Sequence, residues 1–274
     1  MTLKIKEVKA REIIVKSKLP KASYVANPYT GCQFGCVYCY ADFMRRMTGH
    51  GKDTWGEFVD VKSNAPDLAE GVDFSGKDVL FSSVTDAYQP IEGRYKITRQ
   101  LLERLAAKNP QPDLGILTKS YLITRDIDVL KLFRKCTVGF SFSTLDDNVR
   151  RVIEPVTPTI AKRIEAAKAV HDAGIRTYVF MSPIMPYLSD VEQIFRTLRP
   201  HADFFMFENL NVRGNLWPRI RKALEKIDPA LVPKYEAIYF KEGGMSSFWE
   251  PIEKQIREMC RREGMEPQLF FHHH

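Results

Sequence analysis

From about residue 76 the chain alternates short apolar runs with longer helix-forming stretches, and this rhythm restricts the fold more than any other feature. DVLFSSVTD (78–86) reads as a strand, followed by a helix over TRQLLERLAAK (98–108). LGILTKS (114–120) is followed by the helix-like RDIDVLKLFRK (125–135). TVGFSFSTL (137–145) precedes TIAKRIEAAKAVHDAG (159–174), which stops on Gly174 as helices commonly do. RTYVFMSPI (176–184) precedes SDVEQIFRTLR (189–199), with Ser189 placed to cap the helix, and ADFFMFENLN (202–211) closes the series. YVANPYTG (24–31), with the helix-like stretch after the cysteines, opens the series. Strands alternating with helices of this length imply parallel pairing through crossover helices. About six such units fit a partial (β/α) barrel and an open doubly wound sheet equally well, and periodicity leaves the choice open.

The flanks read differently. KAREIIVKSK near the N-terminus reads as extended, suited to cap an edge or the barrel floor, and the stretch 216–266 reads as helices separated at Pro218, Pro229 and Pro233. The expected organisation is a basic arm over 1–22, a barrel over 23–212, a helical extension over 213–271, and His272 to His274 as a possible tag remnant. The arm carries Lys4, Lys6, Lys9, Arg11, Lys16, Lys18 and Lys21 against Glu7 and Glu12, and so holds +5 of the chain's +7. Such an arm suits a solvated edge strand, and it also suits contact with phosphate. With 44% hydrophobic and 27% charged residues, the composition is that of a globular protein and not a fibrous or disordered one. No run approaches the roughly 18–20 apolar residues that span a bilayer. The charged N-terminus lacks the apolar core of a secretory signal, so the expected location is the cytoplasm, with no membrane partner.

Five cysteines without an export signal argue against a disulfide framework. Three of them, Cys32, Cys36 and Cys39, stand in GCQFGCVYCY with C-x3-C-x2-C spacing. Three thiolates on one tight loop suit three corners of a cubane iron–sulfur cluster, and the glycines let the backbone wrap around the sulfurs. Three ligands leave one iron open to a substrate or cofactor. Structural zinc is the competing reading, but it wants four ligands, and the nearest extra candidate is His50.

C-x3-C-x2-C in the loop after the first strand of a β/α series resembles the radical S-adenosylmethionine (SAM) superfamily. Together, NPYTGCQFGCVYCYA, SSVTDAYQPIE, LTKS, GFSFSTLDD and EPVTPT resemble its spore photoproduct lyase-like branch, over about Tyr24 to Asn209. The fold this implies is α/β: a partial (β/α)6 TIM-type barrel with parallel strands, an extended N-terminal arm and a helical C-terminal tail. The implied cofactors are a [4Fe–4S] cluster held by Cys32, Cys36 and Cys39, and SAM. The implied activity is reductive cleavage of SAM to a 5′-deoxyadenosyl radical that abstracts hydrogen from a substrate, at the C-terminal strand ends. It also implies a one-electron donor such as a ferredoxin or flavodoxin, and it allows a nucleic acid substrate. The positions matching SAM contacts are Tyr38, Ser83 or Thr85, Lys119, Ser143 and Ser182. Strand alternation puts Ser141 and Ser143 on one face opposite Phe140 and Phe142, where ribose hydroxyls would partner the serines. Where many radical SAM enzymes carry Gly-Gly-Glu, this chain reads Ser82-Ser83-Val84-Thr85-Asp86, so hydroxyl, backbone and carboxylate oxygens would hold the methionyl amine.

One departure stands out. In spore photoproduct lyase a cysteine on the second strand returns hydrogen to the product radical, assisted by tyrosines beside the last cluster cysteine. Here Tyr38 and Tyr40 flank Cys39, and Tyr40 is the candidate catalytic residue, but the strand has no thiol. Cys136 falls at the wrong end of its strand, and Cys260 reads as an ordinary helix residue. The departure favours an unidentified substrate. Repair of a thymine photoproduct and a non-catalytic metal- or nucleic-acid-binding module are the alternatives. Glu208, Asn209 and Arg213, after the sixth strand, are candidates to face the substrate, while Trp55, Tyr88 and Tyr95 carry no assigned role.

Overall fold

The repeated strand–helix rhythm builds one large sheet. In the computed structural model, which describes residues 3–19 and 22–272, the strands are β1 (Lys4–Val8), β2 (Ile14–Leu19), β3 (Ala22–Ala26), β4 (Tyr29–Thr30), β5 (Phe58–Lys62), β6 (Asp78–Phe81), β7 (Asp113–Thr118), β8 (Cys136–Ser141), β9 (Arg176–Ile184), β10 (Phe204–Asn209) and β11 (Gln268–Leu269). Lys21 of the basic arm, with His273 and His274, lies outside the described residues. The large sheet has eight strands in the order β11-β10-β9-β8-β7-β6-β3-β2. β3, β6, β7, β8, β9 and β10 run parallel, as the strand–helix alternation requires, and the sheet curls into a half-barrel. The choice left open by periodicity therefore falls on the partial barrel.

Central parallel strands are covered on both faces, and β8 is buried from Val138 through Ser141. The helices Ile97–Ala106, Ile160–Asp172 and Val191–Leu198 supply cover with Leu101, Leu102, Leu105, Ala167, Val170 and Phe195. The expected tail helices appear as Leu216–Ile227, Leu231–Tyr239 and Gly244–Arg262. The last of these buries Trp249, Ile256, Met259 and Cys260 in the main core. A second core gathers Cys32, Cys36, Tyr38, Trp55 and Phe58 against Ile220, Leu224 and Tyr235.

Several local expectations are corrected. The strand over 78–86 stops at Phe81, because Ser82 takes φ +76° and turns the chain out of the sheet, its hydroxyl accepting the Ala87 amide at 2.8 Å. The helix over 125–135 reduces to a 3-10 segment, Tyr121–Asp126, and the single turn Ile127–Leu130. The strand over 137–145 ends at Ser141, leaving Ser143 in the loop. Asp190, not Ser189, caps Val191–Leu198, while the Ser189 hydroxyl donates to the Ser143 carbonyl. The N-terminal arm divides. β2 forms an antiparallel edge of the half-barrel, and β1 pairs in parallel with β5 in a separate three-stranded sheet, β1-β5-β4. The helix-like stretch after the cysteines appears as the 3-10 turn Tyr40–Phe43 and the helical turn Met44–Met47, with β5 following it.

Gly139 in β8 makes room for the Tyr178 ring, since a Cβ there would lie 2.1 Å from that ring. Tyr178 stacks in turn on Phe204, with centroids 5.0 Å apart. Gly139→Ala is expected to lower stability by about 1–3 kcal/mol through overpacking, read as a lower urea midpoint at unchanged slope.

Candidate functional site

The cysteine loop leaves β4 through Gly31, whose φ of +83° suits glycine and whose missing side chain lets it lie on β5. A Cβ at Gly31 would sit 2.4 Å from the Phe58 carbonyl oxygen. The turns close through hydrogen bonds from the Gly35 amide to the Cys32 carbonyl (3.3 Å) and from the Cys39 amide to the Cys36 carbonyl (3.2 Å). Contacts from outside also clamp the loop. Gln89 accepts the Gln33 amide at 2.8 Å, the Val37 amide donates to the Ile153 carbonyl at 2.9 Å, and Arg219 donates to the Cys36 carbonyl at 2.8 Å.

Cys32 and Cys36 are buried and Cys39 is half-buried. Burial pushes all three thiols upward, and the neighbouring sulfurs contribute to the shift at Cys32 and Cys36. Thiolates gathered here need positive charge beside them, which iron would supply. His50 is not a fourth ligand, because Asp53 and Asp60 engage its two ring nitrogens at 2.6 and 3.1 Å. Among the described residues no three His, Cys, Asp or Glu side chains converge on one ion.

The cysteine loop faces the C-terminal ends of the parallel strands. Just past β7, the Lys119 ammonium donates to the Ser141 hydroxyl at 2.8 Å and lies 5.7 Å from the Tyr38 ring centroid. The Ser141 and Ser143 hydroxyls both donate to the Ser182 carbonyl, at 3.0 and 3.2 Å. The Tyr38 and Ser143 hydroxyls are 3.1 Å apart. Tyr38, Lys119, Ser141, Ser143 and Ser182 thus form one connected polar chain. The Ser182 hydroxyl donates to Glu208.

Ser83 and Thr85 stand apart from that chain, in the loop after β6. The Ser83 hydroxyl accepts from Asn27 at 2.8 Å, and its carbonyl accepts from the exposed Tyr40 hydroxyl. Thr85 donates to the Gly31 carbonyl at 2.5 Å, so it braces the cysteine loop. Asp86 is occupied as well. Its buried carboxylate accepts from the Thr118 hydroxyl (2.7 Å) and the Lys119 and Tyr88 amides (both 2.9 Å). Asn209 is buried and exchanges two 2.8 Å hydrogen bonds with the His272 backbone, so it pins the tail to β10. His272, set aside as a tag remnant, lies at the mouth of the half-barrel, its ring 3.5 Å from Glu208. Trp55 and Tyr88 are buried. Cys136 starts β8 at the end away from the site, and Cys260 lies in the core.

Sequence reasoning missed the roles of Glu154 and Arg163, although Glu154 opens the EPVTPT motif. Both are fully buried and pair at 2.8 Å. Glu154 also accepts from the Tyr38 hydroxyl and from Thr157 at 3.2 Å, while Arg163 donates to the Ser141 carbonyl at 2.9 Å. Burial alone would raise the Glu154 pKa, but the Arg163 and Lys119 cations and the Tyr38 hydroxyl outweigh it and hold it at about 2.

Residues 26–198 match the Radical SAM superfamily model, and the chain belongs to that superfamily. Membership implies a [4Fe–4S] cluster and SAM. An uncharacterized protein of Methanocaldococcus jannaschii is 42% identical over 213 residues, 78% of this chain and 80% of its own. The radical SAM Nalpha-GlyT isomerase of Pseudomonas phage M6 is 22% identical over 256 residues, 87% of this chain and 50% of its own. The structure of spore photoproduct lyase complexed with dinucleoside spore photoproduct superposes with a TM-score of 0.68 at 18% identity, over 98% of this chain and 82% of that one.

Glu154→Gln keeps the shape but leaves Arg163 without its counter-charge. It is expected to cost about 3–5 kcal/mol in urea unfolding. The folded Glu154 carboxyl sits below its ordinary 4.5, so its contribution is present above that pH and disappears as pH falls toward about 2. The urea midpoint of the unsubstituted chain should fall across that window, and Glu154→Gln should remove part of the fall.

Proposed function

We propose that this chain is a radical SAM enzyme acting on a substrate other than the spore thymine photoproduct. Cys32, Cys36 and Cys39 hold three irons of the cluster and leave the fourth for SAM. The observation that carries the reading is the three-thiol loop clamped over a strand-end mouth where Lys119, Ser141, Ser143, Ser182 and Tyr38 are already hydrogen-bonded together. A structural metal site has no use for such a mouth. The chemistry supplied by the bound cluster and SAM is one-electron cleavage of the sulfonium C–S bond, which releases methionine and a carbon radical able to take hydrogen from a substrate.

The residues of this chain bind and orient. The Lys119 ammonium meets the SAM carboxylate, giving up its bond to Ser141. The serine hydroxyls and Glu208 offer partners to ribose hydroxyls, and the Tyr38 ring shields the cluster loop from water. Tyr40, exposed at the mouth with its hydroxyl on the Ser83 carbonyl, is placed to exchange hydrogen with a substrate radical. An external one-electron donor completes the cycle.

The missing thiol on the second strand favours a different substrate. The loop after β6 offers Ser82, Ser83 and Thr85, whose O–H bonds are much stronger than S–H. Neither Cys136 nor Cys260 reaches the mouth. Repair of a thymine photoproduct with hydrogen returned from Tyr40 is the second reading, favoured by the fold shared with spore photoproduct lyase.

Anaerobic reconstitution with iron and sulfide, followed by SAM and dithionite, is expected to give 5′-deoxyadenosine; an intact cluster without that product refutes the enzyme reading. Replacing Cys32, Cys36 or Cys39 by Ala should abolish the brown chromophore. Lys119→Ala should keep the chromophore and raise the SAM Kd by about tenfold or more, the scale of one charge-assisted contact. Thymine dinucleotide release from DNA carrying the spore photoproduct would move the assignment to repair.

A further inference from the structure

We propose that Arg219 sets the reduction potential of the cluster, its guanidinium stabilising the negative charge that one-electron reduction adds at the cysteine loop. The proposal rests on the radical SAM reading, which places a cluster on Cys32, Cys36 and Cys39. Arg219 comes from the first turn of the tail helix Leu216–Ile227, outside the strand–helix repeat. It donates to the Cys36 carbonyl at 2.8 Å, and its Nη1 atom lies 3.2 Å from the Asp42 carboxylate. That nitrogen is out of water and makes no hydrogen bond among the described residues. Leu216, Ile220 and Leu224 of the same helix pack in the second core with Cys32, Cys36 and Tyr38, so the cation is seated against the loop. Clamping the Cys36 carbonyl needs only one N–H group. The charge and the second nitrogen exceed what a clamp requires.

The surrounding charges leave Arg219 in surplus. Asp42 already receives Arg45 on both oxygens, at 2.8 and 3.0 Å. One buried carboxylate therefore faces two guanidiniums, and one positive charge is left over. The other cations near the cysteines have partners of their own: Arg163 is paired with Glu154 at 2.8 Å, and Lys119 belongs to the mouth. Burial opposes charge on the Cys39 sulfur, while the Ala41 amide and the Lys119 and Arg219 cations favour it. Reduction takes one electron from the external donor, which is oxidised, and no atom moves. Arg219 favours the more negative state and so raises the potential, since net charge and hydrogen bonding around the sulfurs are the protein's levers on it. The tail helix thereby contributes to the redox chemistry of the half-barrel as well as to its packing.

The test is a redox titration of the anaerobically reconstituted full chain, poised with dithionite and viologen mediators and without SAM. The electron paramagnetic resonance signal of the reduced cluster is read at equal iron content. Arg219→Gln keeps a donor for the Cys36 carbonyl and removes the charge. The ratio of reduced to oxidised cluster at a fixed solution potential is expected to fall about tenfold, the order set by one unit charge a few ångströms away. For one electron that is a shift of about 59 mV to lower potential. Arg219→Lys restores the charge with a poorer clamp and should stay within about twofold of the unsubstituted chain. Asp42→Asn removes the opposing carboxylate and should move the ratio upward. An unchanged potential in Arg219→Gln overturns the proposal. An equal fall in Arg219→Gln and Arg219→Lys also overturns it, in favour of a clamp that acts through loop geometry. If Arg219→Gln does not fold or load iron, Asp42→Asn decides: a rise supports the proposal and no rise overturns it. An unsubstituted chain that loads no cluster refutes this proposal together with the enzyme reading. A cluster tuned as expected that yields no 5′-deoxyadenosine with SAM refutes the enzyme reading alone.

Discussion

The buried pair of Glu154 and Arg163 is the contact on which the site depends. It joins three pieces that are distant in sequence: the cysteine loop through Tyr38, the end of β8 through the Ser141 carbonyl, and the segment before the helix Ile160–Asp172. Neither charge reaches water, so each is tolerable only with the other in place. The pair thereby fixes the height of the cysteine loop above the strand ends. A cluster held a few ångströms out of register with the Lys119 side of the mouth could not share a ligand with it.

The glycines do complementary work from the other side. Gly31 brings the loop onto the Phe58 backbone, and the pairing of β4 with β5 makes a small second sheet behind it. The loop is therefore clamped between two sheets. The helix Leu216–Ile227 adds a third wall through Arg219 and the second core. This explains why the tail belongs to the site although it lies outside the strand–helix repeat.

The same geometry separates residues that brace backbone from the polar chain of Lys119 and the serines at the strand ends. Thr85, Asp86 and Asn209 look functional as residue types, yet their polar atoms are spent on holding backbone. Lys119 and the serines at 141, 143 and 182 bond mainly to one another. Those bonds can be exchanged for bonds to a ligand at little net cost, because hydrogen bonds are traded in the process and none is lost.

The sequence by itself determined the parallel strand–helix order and the three-thiol loop. Both are written in local patterns, one in the apolar period and the other in cysteine spacing. The motif likeness also picked out Tyr38, Lys119, Ser143 and Ser182, and strand alternation picked out Ser141, which the structure brings together at one end of the sheet; Ser83 and Thr85, offered by the same likeness, lie apart from them. The sequence did not reveal β5, whose FVDVK gains its strand character from β1 and β4 on either side. It did not reveal that Ser82 would break its strand. Nor did it reveal the partnership of Glu154 with Arg163, since an acid and a base nine residues apart carry no local sign of burial. Choosing the half-barrel over the open sheet, and bracing over binding at each polar residue, fell to tertiary structure. Those outcomes depend on which groups meet across the fold, and a one-dimensional pattern does not record such meetings.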